Sequence, residues 1–183
     1  MVRTGLFLYM HIGFLLAAVL PFFAAQIVWF AARHEKRLAI GNLQRVLTFD
    51  DEKKAGLIAK RMCVHLARSL FECLELWRGA PVLNNVDFAP GSRETLEKAL
   101  ASGKGCVMLT GHIGNWELMA AKYVACGIPT ATFVKKSYDK RLDSLVNAFR
   151  GRYGIVSIDR DAPNAGNMAI ELLNKGYLLG ALI

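Results

Sequence analysis

"GCVMLTGHIGNWELMAAKYVACGIPTATFV", residues 105–134, decides the fold. Cys106–Thr110 is a short continuous apolar run of the kind a sheet buries on both faces. "GNWELMAAKYVACG" has helical character and ends on a glycine, and "TATFV" returns to a buried strand. The alternation continues outward. "DKRLDSLVNAFRGRYG" (139–154) reads as a helix, "IVSI" (155–158) as a strand, "APNAGNMAIELLNKG" (162–176) as a helix and "YLLGALI" (177–183) as a strand. Strands and helices in strict alternation predict an α/β domain with a largely parallel sheet and flanking helices. The chain stops at Ile183 inside the last strand candidate, so the sheet is expected to be incomplete as given.

Upstream, "SRETLEKALASGKG" (92–105) predicts a helix and "VLNNVDF" (82–88) a short strand. "TFDDEKKAGLIAKRMCVHLARSLFECLELW" (48–77) predicts a long helix with a capped start. Its buried face is assigned to Ile58, Met62, Leu66, Leu70, Leu74 and Trp77, which recur at helical spacing. "RHEKRLAIGNLQRVL" (33–47) predicts a basic amphipathic helix at the level of lipid headgroups.

The run from Leu6 to Ala32 contains no Lys, Arg, Asp or Glu. It is long enough to cross a bilayer with some tilt, and too long and aromatic for a signal peptide. We therefore expect a transmembrane anchor over residues 1–32, kinked at Pro21, and an α/β domain over 33–183. Arg33, Lys36 and Arg37 follow the run, against Arg3 alone before it, so the positive-inside rule places the domain in the cytoplasm. Cys63, Cys73, Cys106 and Cys126 form no CxxC pair and read as reduced core thiols rather than a disulfide frame or a zinc site. His65, on the long helix, reads as a satisfied or surface histidine.

The formal net charge of +8 suits anionic headgroups, a polyanionic substrate or an acidic carrier protein. No nucleic-acid-binding motif accompanies it, and nucleic acid is set aside as a partner. The absence of GxSxG, P-loop and GxGxxG strings argues against serine hydrolase, NTPase and dinucleotide-binding readings. The absence of HExxH and of neighbouring His or Cys argues against a metal site.

Chemistry in open α/β sheets gathers at the carboxyl ends of strands, where His112 falls. Gly111 and Gly114 let the backbone bend sharply there. If the helix starts near Gly114, Glu117 lies in its first turn, where the helix dipole favours a carboxylate. On one continuous helix the two side chains would point about 140° apart. With His112 on the preceding loop, its ring can fold back towards Glu117. A carboxylate on one ring nitrogen leaves the other as a base able to deprotonate a hydroxyl. A His and a Glu can also simply decorate a turn. Lys135 and Lys136 follow the next strand on the same sheet edge, Arg160 holds the equivalent place after "IVSI", and Arg150 and Arg152 crowd the end of the intervening helix. These cations suit phosphate or an ordinary solvated face.

"GKGCVMLTGHIGNWELMAA", with "DKRLDSLVNAFRGRYGIVSIDRD", "LLNKGYLLGALI" and "RLAIGNLQRVL", resembles the lipid A biosynthesis lauroyl/myristoyl acyltransferase family, a bacterial branch of the H-x-x-x-x-D/E acyltransferases. The resemblance takes in nearly the whole chain. Ile113 departs from it, standing where the family often has an aromatic residue, and the acidic segment that usually follows the last strand is missing. The resemblance implies a glycerolipid-acyltransferase-like fold and an inner-membrane enzyme of lipopolysaccharide biosynthesis. Such an enzyme moves a fatty acyl group from acyl-acyl carrier protein, or less often acyl-CoA, to a hydroxyl of a lipid A precursor. It implies His112 as general base and Glu117 as its orienting partner, with no acyl-enzyme and no further cofactor. Lys135, Lys136, Arg150 and Arg160 would then meet substrate phosphates. Alternatives are acylation of another membrane glycolipid, such as a phosphoinositide mannoside, and a non-catalytic membrane-anchored basic module that docks acidic partners.

Overall fold

A computed structural model describes residues 19–48, 51–137 and 139–182. The chain divides into two compact units, Met1–Ala80 and Pro81–Ile183.

In the first unit, helices α1 (Leu20–Ala31) and α2 (Arg33–Leu47) both pack on the long α3 (Glu52–Trp77). Pro21 sits in the first turn of α1, where a missing N–H leaves no bond unmade; the kink expected there would involve residues before 19, outside the described residues. Ala32 breaks the chain between α1 and α2 with φ −85° and ψ 63°. Across that corner the Lys36 ammonium lies 4.5 Å from the Trp29 ring centroid. Asp51 caps α3, its Oδ1 accepting from the Lys53 and Lys54 N–H groups at 2.8 and 3.3 Å.

The buried face of α3 differs from the expected one. Met62, Leu66 and Leu70 are 54, 63 and 59% exposed, while Ala55 and Ala59 are buried. The reason is size. Ala55, Gly56, Ala59 and Cys63 form a stripe of small side chains, and short side chains let neighbouring helices approach closely. Ala25 of α1 is buried, its carbonyl accepting from the Cys63 thiol at 3.6 Å, and a Cβ added to Gly56 would meet Ile40 of α2 at 3.8 Å. Partial burial of Cys63 pushes its thiol pKa up. All four cysteines are free and half-buried, not core residues.

Of the anchor expected over residues 1–32, residues 1–18 lie outside the described residues. Among the described residues no helix is long and apolar enough to cross a membrane. The first unit, which ends at Ala80, takes in α1, α2 and α3, with α1 and α2 both packed on α3.

The second unit is the α/β domain. The predicted strand at 82–88 is instead a 3-10 turn at Val82–Asn85. Lys122 reaches back to donate to the Leu83 carbonyl there at 2.9 Å. Helix α4 (Ser92–Leu100) leads to β1 (Cys106–Thr110), α5 (Trp116–Ala125), β2 (Thr130–Val134), α6 (Lys140–Arg152), β3 (Val156–Asp159), α7 (Ala165–Asn174) and β4 (Leu178–Leu182). All four strands are parallel, in the order β1-β4-β2-β3. β1 pairs with β4 from Cys106 opposite Leu178 to Thr110 opposite Leu182, and β2 pairs with β3 up to Val134 opposite Asp159. The registers therefore bring the four strand ends to one edge.

On one face of the sheet, Ala131, Ile158 and Leu179 pack against Ala165, Ala169 and Leu172 of α7. The i, i+4 and i+7 spacing of those α7 residues is the helical counterpart of the strand alternation. α5 lies over the other face, where the Tyr123 hydroxyl approaches the Met108 sulfur at 3.5 Å. Partial burial pushes the Tyr123 hydroxyl pKa up. Gly105 opens β1 with φ +69°, and a Cβ there would stand 2.5 Å from the Tyr177 carbonyl oxygen, so only glycine fits.

Candidate active site

β1 delivers its chain to the strand-end edge at Thr110, and α5 begins at Trp116. Between them the turn is carried by Gly114, whose φ is +68°. Asn115 caps the helix, its Oδ1 accepting from the Leu118 N–H at 3.1 Å. This short connection displays His112 as an exposed side chain, its ring set edge-on to Trp116 with centroids 5.2 Å apart.

His112 and Trp116 line a cleft of about 260 Å³ outside the strand ends. The floor comes from Phe133 and Val134 of β2 and Leu182 of β4. One wall is a single face of α6, presenting Leu142, Asp143, Val146, Asn147 and Arg150. Ser137 closes the corner, its N–H donating to Asp143 Oδ1 at 3.1 Å. Lys135 and Arg160, both exposed, complete the lining. The Arg160 backbone N–H donates to the Val134 carbonyl at 2.9 Å, which fixes where its side chain leaves the sheet.

Four of the predicted site residues thus share one cleft: His112, Lys135, Arg150 and Arg160. The other two are placed differently. Lys136 forms an ion pair with Asp159 at 2.7 Å across the ends of β2 and β3, and it does not line the cleft. The hydrogen bond from Lys136 holds the Asp159 carboxyl below the usual carboxylate range, helped by the Asp161 N–H, and the ammonium is raised in turn. Glu117 lies in the first turn of α5, as expected, but its carboxylate is taken by Arg150. Arg150 Nε donates to Oε2 at 3.0 Å and Nη2 donates to Oε1, a two-pronged pair with only 12 and 19% of the respective side chains exposed. Among the described residues no hydrogen bond joins His112 to Glu117. Arg150, expected to meet substrate, is therefore engaged with protein.

The sequence reading missed the α6 face. Leu142, Val146 and Arg150 recur every four residues, a signal present in "DKRLDSLVNAFRGR" but credited there only to its basic end. Leu182 and Phe133 were read as ordinary strand residues, and only the strand order puts both under the cleft. Among the described residues no three His, Cys, Asp or Glu side chains come together.

The arrangement suits two kinds of ligand group at once. Trp116, Phe133, Leu142, Val146 and Leu182 offer apolar surface, while Lys135 and Arg160 offer charge to an anion beside an exposed imidazole. No curated protein matches the sequence. The family described as bacterial lipid A biosynthesis acyltransferase matches residues 2–183, essentially the full length. With the parallel sheet, the strand-end histidine and this match in hand, the chain belongs to the bacterial lipid A biosynthesis acyltransferase family and is an acyltransferase.

Proposed function

We propose that the second unit transfers a fatty acyl group from acyl-acyl carrier protein, or acyl-CoA, to a hydroxyl of a lipid A precursor, with His112 as general base. An imidazole nitrogen takes the hydroxyl proton as the oxygen attacks the thioester carbonyl. The tetrahedral intermediate then expels thiolate, which receives the proton from the imidazolium. The thioester is already activated, so no acyl-enzyme is needed, and positioning with removal of one proton supplies most of the rate. The observation that carries this reading is the exposed His112 on the same strand-end cleft as Lys135, Arg160 and an apolar wall.

Glu117 orients the imidazole in this scheme. A carboxylate has about four acceptor positions, so the Arg150 pair leaves room for a ring N–H. The dyad closes when the 111–115 loop turns His112 towards the head of α5. Lys135 and Arg160 meet phosphate, on the acceptor or on the donor's pantetheine arm. The first unit works at the cytoplasmic face of the inner membrane. Phe22, Phe23, Ile27 and Phe30 on α1 are exposed, and the basic α2 follows directly.

Acyl transfer by purified full-length His112→Ala, measured by mass spectrometry of the glycolipid product, tests the assignment. The expected result is loss of at least about a hundredfold in kcat. Turnover within a few-fold of wild type would remove the base.

A further inference from the structure

We propose that Arg150 is a positioning residue for acyl transfer, acting on the reaction only through Glu117, whose carboxylate it holds as a fixed post beside the cleft. The inference rests on the reading of His112 as base and reassigns Arg150 from substrate to scaffold.

Three observations carry it. First, both carboxylate oxygens of Glu117 are engaged by two different guanidinium nitrogens, an arrangement that fixes direction as well as distance. Second, the partners stand on separate elements, the first turn of α5 and the last turn of α6, so the pair ties the histidine-bearing connection to the opposite wall of the cleft. Third, Arg150 and Glu117 are mostly covered, whereas Lys135 and Arg160 are exposed on the same cleft. A phosphate drawing on Arg150 would have to displace a carboxylate already desolvated with it, which costs more than binding an exposed cation. Phosphate therefore falls to Lys135 and Arg160. Arg150 keeps Glu117 immobile and available to a third group, the imidazole N–H.

A double-mutant cycle with the full chain separates this role from substrate binding. Wild type, Glu117→Gln, Arg150→Gln and the double variant are compared for kcat and for KM of both substrates, using an acyl-acyl carrier protein thioester as donor. Each single variant is expected to lose at least about tenfold in kcat, with KM within about twofold, and the double variant to lie no more than about twofold below Glu117→Gln. Losses that multiply, or a KM increase with kcat intact, overturn the proposal. Arg150→Lys keeps the charge but cannot hold both oxygens at once. It should lower kcat at unchanged KM; wild-type kinetics, or a rise in KM alone, would overturn the proposal even if Arg150→Gln does not fold. Full turnover by His112→Ala sinks the underlying base assignment instead, whatever the cycle shows.

Discussion

Gly105→Ala and Gly114→Ala make the same chemical change at nearly the same backbone angle, φ +69° and +68°, in opposite surroundings. At Gly114 no atom lies within 4 Å of the added Cβ. The cost there is the left-handed conformation alone, about 1–2 kcal/mol. At Gly105 the Cβ would meet the Tyr177 carbonyl oxygen at 2.5 Å and the Leu173 carbonyl oxygen at 2.7 Å. Both are backbone, so neither can swing away. Relieving the overlap parts β1 from the turn before β4 and adds about 1–3 kcal/mol, for a total of about 2–5 kcal/mol. For a chain of this size each kcal/mol moves the melting temperature by about 2–4 °C. Calorimetry should place Gly105→Ala on the order of 5–15 °C below wild type, at least about twice the shift of Gly114→Ala. Activity should rank the other way relative to stability, since Gly114 shapes the connection that displays His112. A Gly105→Ala protein that melts with wild type, or a Gly114→Ala protein that suffers equally, would show that close backbone approach does not set the start of β1.

Three other outcomes follow from the packing and the charges. Ala59→Leu, on the small-residue stripe of α3, should cost about 1–3 kcal/mol by forcing α1 or α2 away, whereas Leu66→Gln on the exposed face should stay within about 0.5 kcal/mol in denaturant titrations. Asp159→Asn should melt slightly below wild type at neutral pH. Because the folded carboxyl titrates below its unfolded value, the Asp159 contribution is present above the ordinary range near about 4 and disappears as pH falls through the lowered value, so the two melting curves should converge there. A gap that widens in acid would reverse the assigned sign. Arg160→Ala should raise KM for a phosphorylated substrate several-fold with kcat nearly unchanged, and the difference should shrink in high salt.

The sheet domain was legible because its signals are local. Continuous apolar strands such as "CVMLT" and "TATFV" admit few other environments, and the glycine-flanked His112 marks a strand end by itself. α3 was misread because hydrophobicity was taken as the sign of burial. Met62, Leu66 and Leu70 are the greasier stripe, yet the helices chose the stripe on which they can come closest, Ala55 and Ala59. "VLNNVDF" was misread because two β-branched residues outweighed the Asn pair that favours a turn. The site was half legible for a different reason. Which carboxylate each cation meets depends on strand register and helix placement: the Lys136 side chain reaches Asp159 because β2 and β3 are neighbours, and Arg150 meets Glu117 because α6 crosses to the head of α5. Neither pairing leaves a trace in the one-dimensional string.

The interleaved strand order also governs when the cleft comes into being. Among the described strands, β1, which presents His112, is joined to β2, which presents Lys135, through β4, the last of them to be synthesised. Until Leu178–Leu182 threads between them, the two halves of the site have no common backbone ladder, and the pairings it makes with β1 close a long loop. In a nascent chain the imidazole and the cations therefore share no sheet backbone until β4 has paired on both of its sides.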